Sequence, residues 1–249
     1  MKRVPQNISA FAAMPAEEAW QKSHPSGAQP QDLKVVIPLS TSKYTWIRNI
    51  VHRVATKWHV KMFGTMSGMV VFFIAYFWIL EHPNGPVSVM KRTAVDELVP
   101  FQPQFLPAYL SLWFYVSFAP ALLVDRREIR SYAWATLFLS TIGMACFLLW
   151  PTAAPQPEVD WSLYPSFAFL RSADGAGNAC PSLHVSFAVF TAIWFERLFR
   201  QMNAWRLFHV LNWVWCACIL YSTIAIRQHV VLDVLAGAML GAGVAFVQL

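Results

Sequence analysis

Long apolar stretches that carry almost no charge are the feature of this sequence that most limits its possible folds. Charged residues make up only 13% of the chain, against about a quarter in soluble domains. Stretches of about 20 apolar residues are long enough to cross a bilayer as helices. The sequence therefore predicts an all-α, polytopic membrane protein with a bundle of six transmembrane helices. The six stretches are roughly 62–81, 104–124, 132–150, 182–196, 208–226 and 231–249.

The first 61 residues differ from the rest of the chain. Residues 1–42 contain several prolines among polar residues and lack the apolar core of a signal peptide, so we expect them to be mostly disordered. From Tyr44, apolar residues recur at helical spacing with basic residues among them, which predicts an amphipathic helix. This helix would lie on an anionic membrane surface or cap the bundle as a soluble helix. We therefore predict an N-terminal extension over 1–61 and one membrane domain over 62–249.

The distribution of basic residues predicts the orientation of the chain. Lysines and arginines concentrate before residue 62, after the second stretch and after the fourth. Because basic residues favour the cytoplasmic side, both termini are predicted to be cytoplasmic, in a multi-pass protein of the cell (inner) membrane. The net charge of +6 follows from this topology, and we expect no nucleic-acid partner. Of the 19 basic residues, those that fall on the periplasmic (extracytoplasmic) side are Lys91, Arg92, Arg171 and Arg227.

Two polar motifs open the fourth and the sixth stretch, both on the extracytoplasmic side. The first is Pro181-Ser182-Leu183-His184, and the second runs from Ser222 through Arg227 and His229 to Asp233. Each ionisable residue, taken alone, can be explained as an interfacial anchor with its polar tip in the headgroups. Ionisable groups are nevertheless expensive in a membrane, and two such motifs on one side favour a functional interpretation.

The residue types in these motifs suit attack on a phosphate ester. A helix that starts at Ser182 would aim free N–H groups and a hydroxyl at an anion, with His184 in the same first turn. His229 and Asp233 are four residues apart, so on a helix they share one face and can hydrogen-bond. A carboxylate on one imidazole nitrogen leaves the other as a nucleophile. Arg227 can hold phosphate oxygens with its bidentate fork.

The cysteines predict neither a disulfide nor a metal site. Cys146, Cys216 and Cys218 lie within the apolar stretches and are interpreted as small apolar fillers. Cys180 is alone on the oxidising side, so it has no partner for a disulfide. Cys180 and His184 lack a second pair at zinc-ligand spacing. We therefore predict no metal, no cofactor and metal-independent turnover.

The two motifs resemble blocks of the type-2 phosphatidic acid phosphatase superfamily. Pro181 to His184 is similar to the Pro-Ser-x-His block, and Ser222 to Asp233 is similar to the following Ser-Arg-x5-His-x3-Asp block. The resemblance covers roughly residues 96–249. It implies a six-helix bundle, a phosphohistidine intermediate on His229 held by Asp233, and His184 as the acid that protonates the leaving alcohol. It also implies that Ser182 binds phosphate.

The sequence departs from this family pattern at its basic residues. No Lys or Arg occurs between Arg130 and Arg171, so the family's Lys-x6-Arg-Pro block is missing. Thr223 stands where the second block has arginine. The resulting pattern is more similar to the branch that includes inositol phosphorylceramide and sphingomyelin synthase relatives, which pass the phospho-group to a lipid alcohol. The predicted phosphate-binding residues are Arg227, Ser182, Arg171 and Ser222.

These observations predict an integral membrane lipid phosphatase that hydrolyses a lipid phosphate monoester or pyrophosphate at the extracytoplasmic leaflet. Two alternatives stay open. A lipid head-group phosphotransferase would use the same intermediate with another acceptor, and a non-catalytic lipid-binding protein would explain the missing basic block. The expected partners are the bilayer and a membrane lipid phosphate. The sequence does not name the lipid or the oligomeric state.

Overall fold

Helices dominate the computed structural model, which describes residues 45–157, 159–173 and 177–248. The predicted disorder of residues 1–42 lies outside this part of the chain. Two very short strands, β1 (Ser88–Val89) and β2 (Thr152–Ala153), complete the described elements together with 3₁₀ turns at Pro103–Phe105, Trp161–Leu163 and Pro165–Phe167. The helices are α1 (Thr45–Ala55), α2 (Trp58–Glu81), α3 (Ala94–Leu98), α4 (Leu106–Leu110), α5 (Leu112–Ala121), α6 (Arg126–Leu149), α7 (Ala168–Ala173), α8 (Leu183–Gln201), α9 (Arg206–Ala225) and α10 (Val231–Gln248).

Four of the described helices are long and apolar enough to cross a membrane, namely α2, α6, α9 and α10. They coincide with the first, third, fifth and sixth apolar stretches, so the prediction of an all-helical membrane protein is confirmed. The stretch 104–124 is divided between α4 and α5, which are interrupted at Ser111 and are each too short to qualify. The stretch 182–196 lies in α8, whose last turns carry Glu196, Arg197 and Arg200 and are therefore less apolar. The count of six spans stays a prediction.

Helix α8 forms the centre of the bundle, and 13 of its 19 residues are buried. It packs most closely against α10, where two glycines allow the backbones to touch. A Cβ atom at Gly237 would lie 2.4 Å from the Ser182 carbonyl oxygen, and one at Gly241 would lie 2.2 Å from the Ser186 carbonyl oxygen. Small residues four apart are a common way for membrane helices to approach each other. This packing fixes the start of α8 beside the start of α10.

Helix α1 contacts the bundle through one face and leaves another face open. Arg53 Nη1 donates a hydrogen bond to the carbonyl oxygen of Leu122, at 3.2 Å. The apolar side chains of Ile47, Val51 and Val54 remain 40%, 62% and 38% exposed. The amphipathic character predicted from Tyr44 onward is thus present, and α1 combines contact with the bundle with an exposed apolar stripe.

The two strands tie together the loops next to the motifs. β1 and β2 pair in parallel, and Thr152 of β2 also forms a bridge with Asn178. The hydroxyl of Thr152 accepts a hydrogen bond from the backbone N–H of Cys180, at 2.8 Å. The segment that leads into α8 is therefore fastened to the end of α6.

Candidate active site

The two sequence motifs meet at the neighbouring starts of α8 and α10. Ser182 is the N-cap of α8, and its Oγ accepts a hydrogen bond from the N–H of Val185 at 3.3 Å. The backbone N–H of Ser182 donates to the carbonyl oxygen of Asp233, at 3.1 Å. This bond joins the first motif directly to the second, as the resemblance requires of two blocks that form one site.

His184 lies in the first turn of α8 and is 9% exposed. Its ring stacks on the ring of Tyr109, with centroids 3.9 Å apart and planes 9° from parallel. Trp113 approaches the same imidazole edge-on, at 6.4 Å. The Nε2 atom of His184 has no hydrogen-bond partner among the described residues. The imidazole of His184 is thus held by aromatic contacts, and its Nε2 is a buried nitrogen to which the described residues offer no partner.

His229 and Asp233 come together, but not on one helix as their spacing predicted. α10 begins at Val231, so His229 lies in the turn before it. The Nδ1 atom of His229 is 3.6 Å from Oδ2 of Asp233, slightly longer than a hydrogen bond. Asp233 is fully buried, and the same Oδ2 accepts the N–H of Val230 at 3.1 Å. The carboxylate therefore faces one imidazole nitrogen and leaves Nε2 on the far side of the ring.

The turn that carries His229 is built by the end of α9. Arg227 adopts a left-handed backbone conformation with φ of 64°, a common way to end a helix. The N–H groups of Gln228 and His229 both donate to the carbonyl oxygen of Thr223, at 3.0 and 3.1 Å. These bonds turn the chain back toward α8 within a few residues.

Arg227 lines the cavity, but its guanidinium is already bound to the protein. Nη1 donates to the carbonyl oxygen of Asp96 at 2.8 Å, and Nη2 donates to that of Val99 at 2.6 Å. A guanidinium carries five N–H groups, and the other three have no partner among the residues that the structure describes. The positive charge is therefore held in a fixed place at the wall of the cavity.

The other predicted phosphate-binding residues do not line the cavity with described side chains. Ser182 is fully buried at the helix cap. Ser222 is also fully buried, and its hydroxyl donates to the carbonyl oxygen of Ile219 within α9, at 2.6 Å. The backbone of Arg171 belongs to α7, and its side chain lies outside what the structure describes.

Both motif histidines line one cavity of about 360 Å³. Its polar surface includes His184, Arg227, Gln228 and His229, together with Gln156 and Asn178. Most of the remaining lining is apolar, with aromatic rings from α2, α4 and α5. Such a cavity suits an amphiphile whose anionic head meets the histidines. The aromatic residues of these three helices in the lining are Phe72, Phe73, Tyr76, Phe77, Tyr109 and Trp113.

Cys180, the cysteine beside the first motif, is unsuited to act as a nucleophile. Burial raises the pKa of the Cys180 thiol to about 11, with Asp233 contributing in the same direction. At neutral pH this cysteine is a thiol, whereas nucleophilic attack and metal binding need the thiolate. In the described ranges, no three His, Cys, Asp or Glu side chains are grouped to hold a metal ion.

Sequence reasoning missed Asp96, a carboxylate that is only 1% exposed. It forms a capping box with Thr93 at the start of α3. The spacing Thr-x-x-Asp is close to the usual capping box pattern, so this cap could have been predicted from the sequence. Its second partner, the N–H of Val231, is far away in the sequence and has no such signal.

Comparison with known proteins identifies a family but no individual relative. Residues 100–247 match the family model described as PAP2 superfamily. Neither the curated proteins nor the solved structures contain a match to the chain. The matched region includes both motifs and extends from before α4 into the last turn of α10, while α2 and Asp96 precede it.

Proposed function

The chain belongs to the PAP2 superfamily, and we propose that it is an integral membrane lipid phosphatase. Its substrate would be a lipid phosphate monoester or pyrophosphate at the extracytoplasmic leaflet. The observation that carries this proposal is the shared cavity, in which His184 and His229 meet a fixed arginine while aromatic rings supply an apolar wall. Family membership supports an enzyme of the phosphatase or phosphotransferase type. The cavity supports a lipid as its substrate.

In the first half-reaction, Nε2 of His229 attacks the phosphorus atom and forms the N–P bond. The P–O bond to the lipid alcohol breaks, and His184 gives its proton to the leaving oxygen. The buried Asp233 carboxylate, 3.6 Å from Nδ1, stabilises the positive charge that develops on His229. The N–H groups of Arg227 that remain free balance the charge of the phosphate oxygens.

In the second half-reaction, water attacks the phosphorus atom and the N–P bond breaks. His184, now neutral, accepts the proton from that water and returns to its starting state. Inorganic phosphate leaves, and His229 is free again. One histidine thus serves as acid and then as base, a role that contributes on the order of 10²–10⁴ to the rate.

A lipid head-group phosphotransferase is the second candidate. The same phosphohistidine would be attacked by the hydroxyl of an acceptor lipid instead of water. Thr223, at the position of the family's arginine, and the pattern from Arg227 to His229 favour this branch. The aromatic lining around the histidines provides an apolar environment that an acceptor lipid can enter as readily as the substrate.

The proposal includes six spans and an orientation with both termini in the cytoplasm. The clustering of basic residues at one end of the bundle supports it, and Lys57 illustrates this by donating to the carbonyl oxygen of Val124 beside Arg126. His184 lies at the start of α8, whose last turns carry Arg197 and Arg200, and His229 lies in the turn after α9, which begins at Arg206. A reporter fused after Leu249 that is active only in the periplasm should be silent. A strong signal from that fusion would contradict the outer-leaflet assignment.

The proposal is tested with purified protein in liposomes that contain candidate lipid phosphates, with and without an acceptor lipid. Release of free phosphate in the absence of acceptor identifies a phosphatase. New phospholipid that forms only with acceptor identifies a phosphotransferase, and a non-catalytic lipid-binding protein is expected to give neither product. Protein carrying His229→Ala is the control. Turnover should persist in chelator, and activity that requires added magnesium or zinc would refute the metal-independent mechanism.

A further inference from the structure

Asp96 connects two regions that are far apart in the sequence, the segment 227–231 and the residues 93–99, which contain the short helix α3 and are called the loop 93–99 below. Its side chain is almost completely buried, although it carries a carboxylate in a membrane protein. Burying such a charge is unfavourable unless hydrogen bonds satisfy it. Its bonding partners therefore indicate what the residue does.

Both carboxylate oxygens of Asp96 accept hydrogen bonds from helix starts. Oδ2 accepts the N–H and the hydroxyl of Thr93, at 2.7 and 2.8 Å, and so caps α3. Oδ1 accepts the N–H of Val231, the first residue of α10, at 2.8 Å. A carboxylate at a helix N-terminus satisfies a free N–H and interacts favourably with the helix dipole. One side chain thus fixes the start of α10 relative to the loop 93–99.

A second connection between the same two regions runs in the opposite direction. The guanidinium of Arg227 donates to the carbonyl oxygens of Asp96 and Val99, at 2.8 and 2.6 Å. The loop 93–99 therefore holds the segment 227–231 at both ends, through Arg227 and through Val231. His229 is the central residue of that segment.

The backbone N–H of His229 is bound to the Thr223 carbonyl oxygen at 3.1 Å, so it is the imidazole of His229 that depends on such support. It lies outside α10, and its Nδ1 is 3.6 Å from Asp233, without a hydrogen-bond partner in the described part of the chain. A nucleophile that is misplaced by about 1 Å can lose on the order of 10²-fold in rate. A shift of the segment 227–231 would therefore move Nε2 of His229, the atom proposed to attack phosphorus.

We propose that Asp96 is a positioning residue for His229, acting by clamping the segment 227–231 to the loop 93–99. The inference rests on the proposed function for its catalytic consequence. The clamp itself consists of the hydrogen bonds of Asp96 and Arg227 described above, which exist in the absence of substrate. Asp96 precedes the region matched by the family model, so this chain would supply the support from outside that region.

The main variant is Asp96→Asn, which keeps the size of the side chain but turns one accepting oxygen into an NH₂ group. One of the two helix starts then faces a donor instead of an acceptor. Thr93→Val is the matched control, because it removes both hydrogen bonds between the Thr93 hydroxyl and Asp96 on the α3 side and leaves the bond to Val231 intact. Glu97→Gln controls for the loss of a neighbouring, exposed carboxylate.

Two measurements are made on the full-length protein in liposomes, kcat and KM for phosphate release and the rate of His229 modification by diethyl pyrocarbonate. With Asp96→Asn we expect kcat to fall on the order of tenfold, less than the roughly 10²-fold loss for a misplacement of about 1 Å, while KM changes little. Modification of His229 should become several-fold faster relative to the exposed His82. Thr93→Val and Glu97→Gln should resemble the wild type in both measurements.

The inference is overturned if Asp96→Asn and Thr93→Val lower the midpoint of thermal unfolding alike while kcat and His229 modification stay unchanged. That result would make Asp96 a local cap only. If the wild type has no turnover, the proposed function fails, but the modification rates still decide whether the clamp positions His229. Should Asp96→Asn not fold, Arg227→Lys breaks the fork to the two carbonyls and must show the same faster modification of His229.

Discussion

Helices α8 and α2 line the same cavity, yet they are held in different ways. Among the 19 residues of α8, 13 are buried, and α5, α6, α9 and α10 surround it. Among the 24 residues of α2, only Lys61 and Ile79 are buried. The position of α8 is therefore fixed by protein on nearly all sides, whereas much of α2 faces outward, where a bilayer would cover it.

This difference indicates that α8 and α2 contribute to different steps, α8 to the chemical step and α2 to substrate binding. α8 carries His184 and is tied to α10 by glycine contacts and by the bond from Ser182 to Asp233. α2 contributes aromatic rings to the cavity, of which Phe72 and Tyr76 pack against the core while Phe77 is 38% exposed. We expect substitutions near α8 to change the chemical step or the fold, and substitutions on α2 to change substrate binding.

The largest effect is expected for His184→Ala, which removes the proposed acid from the rigid helix. kcat should fall on the order of 10²–10⁴-fold, the usual range for a lost general acid. Some of this loss should be recovered with an aryl phosphate, whose leaving group needs no proton, while the loss of the base in the second half-reaction persists. His82→Ala at the exposed end of α2 is the control and should leave kcat unchanged. An equal loss for alkyl and aryl substrates would contradict the assigned role.

A smaller effect is expected for Gly241→Ala, which pushes α10 away from α8. The added methyl group would lie 2.2 Å from the Ser186 carbonyl oxygen, and overpacking of this kind costs about 1–3 kcal/mol. Thermal unfolding of the purified protein should occur at a lower temperature. Gly243→Ala is the matched control, because its methyl group would meet no atom within 4 Å. Equal midpoints for both variants would show that the close contact does not fix the two helices.

The smallest effect is expected for Phe77→Ala on the cavity side of α2. Loss of one apolar contact with the lipid tail should raise KM for long-chain substrates by about tenfold or less, because Phe77 is 38% exposed and only part of the about 1.5–3 kcal/mol for a fully buried large side chain is lost. kcat should stay the same. Phe63→Ala, on the same helix but away from the cavity, is the control. A fall in kcat with unchanged KM would mean that α2 also takes part in the chemical step.

The parts of this molecule that were predictable from sequence are those encoded by neighbouring residues. Apolar stretches indicate α2, α6, α9 and α10, because length and hydropathy alone decide whether a helix can cross a bilayer. The local spacing of His229 and Asp233 indicated their pairing. It did not indicate the turn between α9 and α10, which depends on the left-handed backbone of Arg227.

Contacts between distant residues could not be predicted in this way. The partners of Arg227 are carbonyl oxygens 131 and 128 residues earlier in the chain, and a backbone carbonyl has no sequence signature. The same holds for Asp96, whose bond to Val231 spans 135 residues. The sequence predicted that the whole guanidinium of Arg227 is free to bind phosphate, because nothing in the local pattern indicated these acceptors.

The central claim is that His229 forms a covalent bond to phosphorus, and rapid-quench labelling tests it most directly. Wild-type protein is mixed with a lipid whose phosphate carries a radioactive label, stopped in alkali within a turnover, and digested. We predict an acid-labile, alkali-stable label on the peptide that contains His229, and no label with His229→Ala. A label that persists in His229→Ala, or turnover by the wild type without any labelled peptide, would contradict the account.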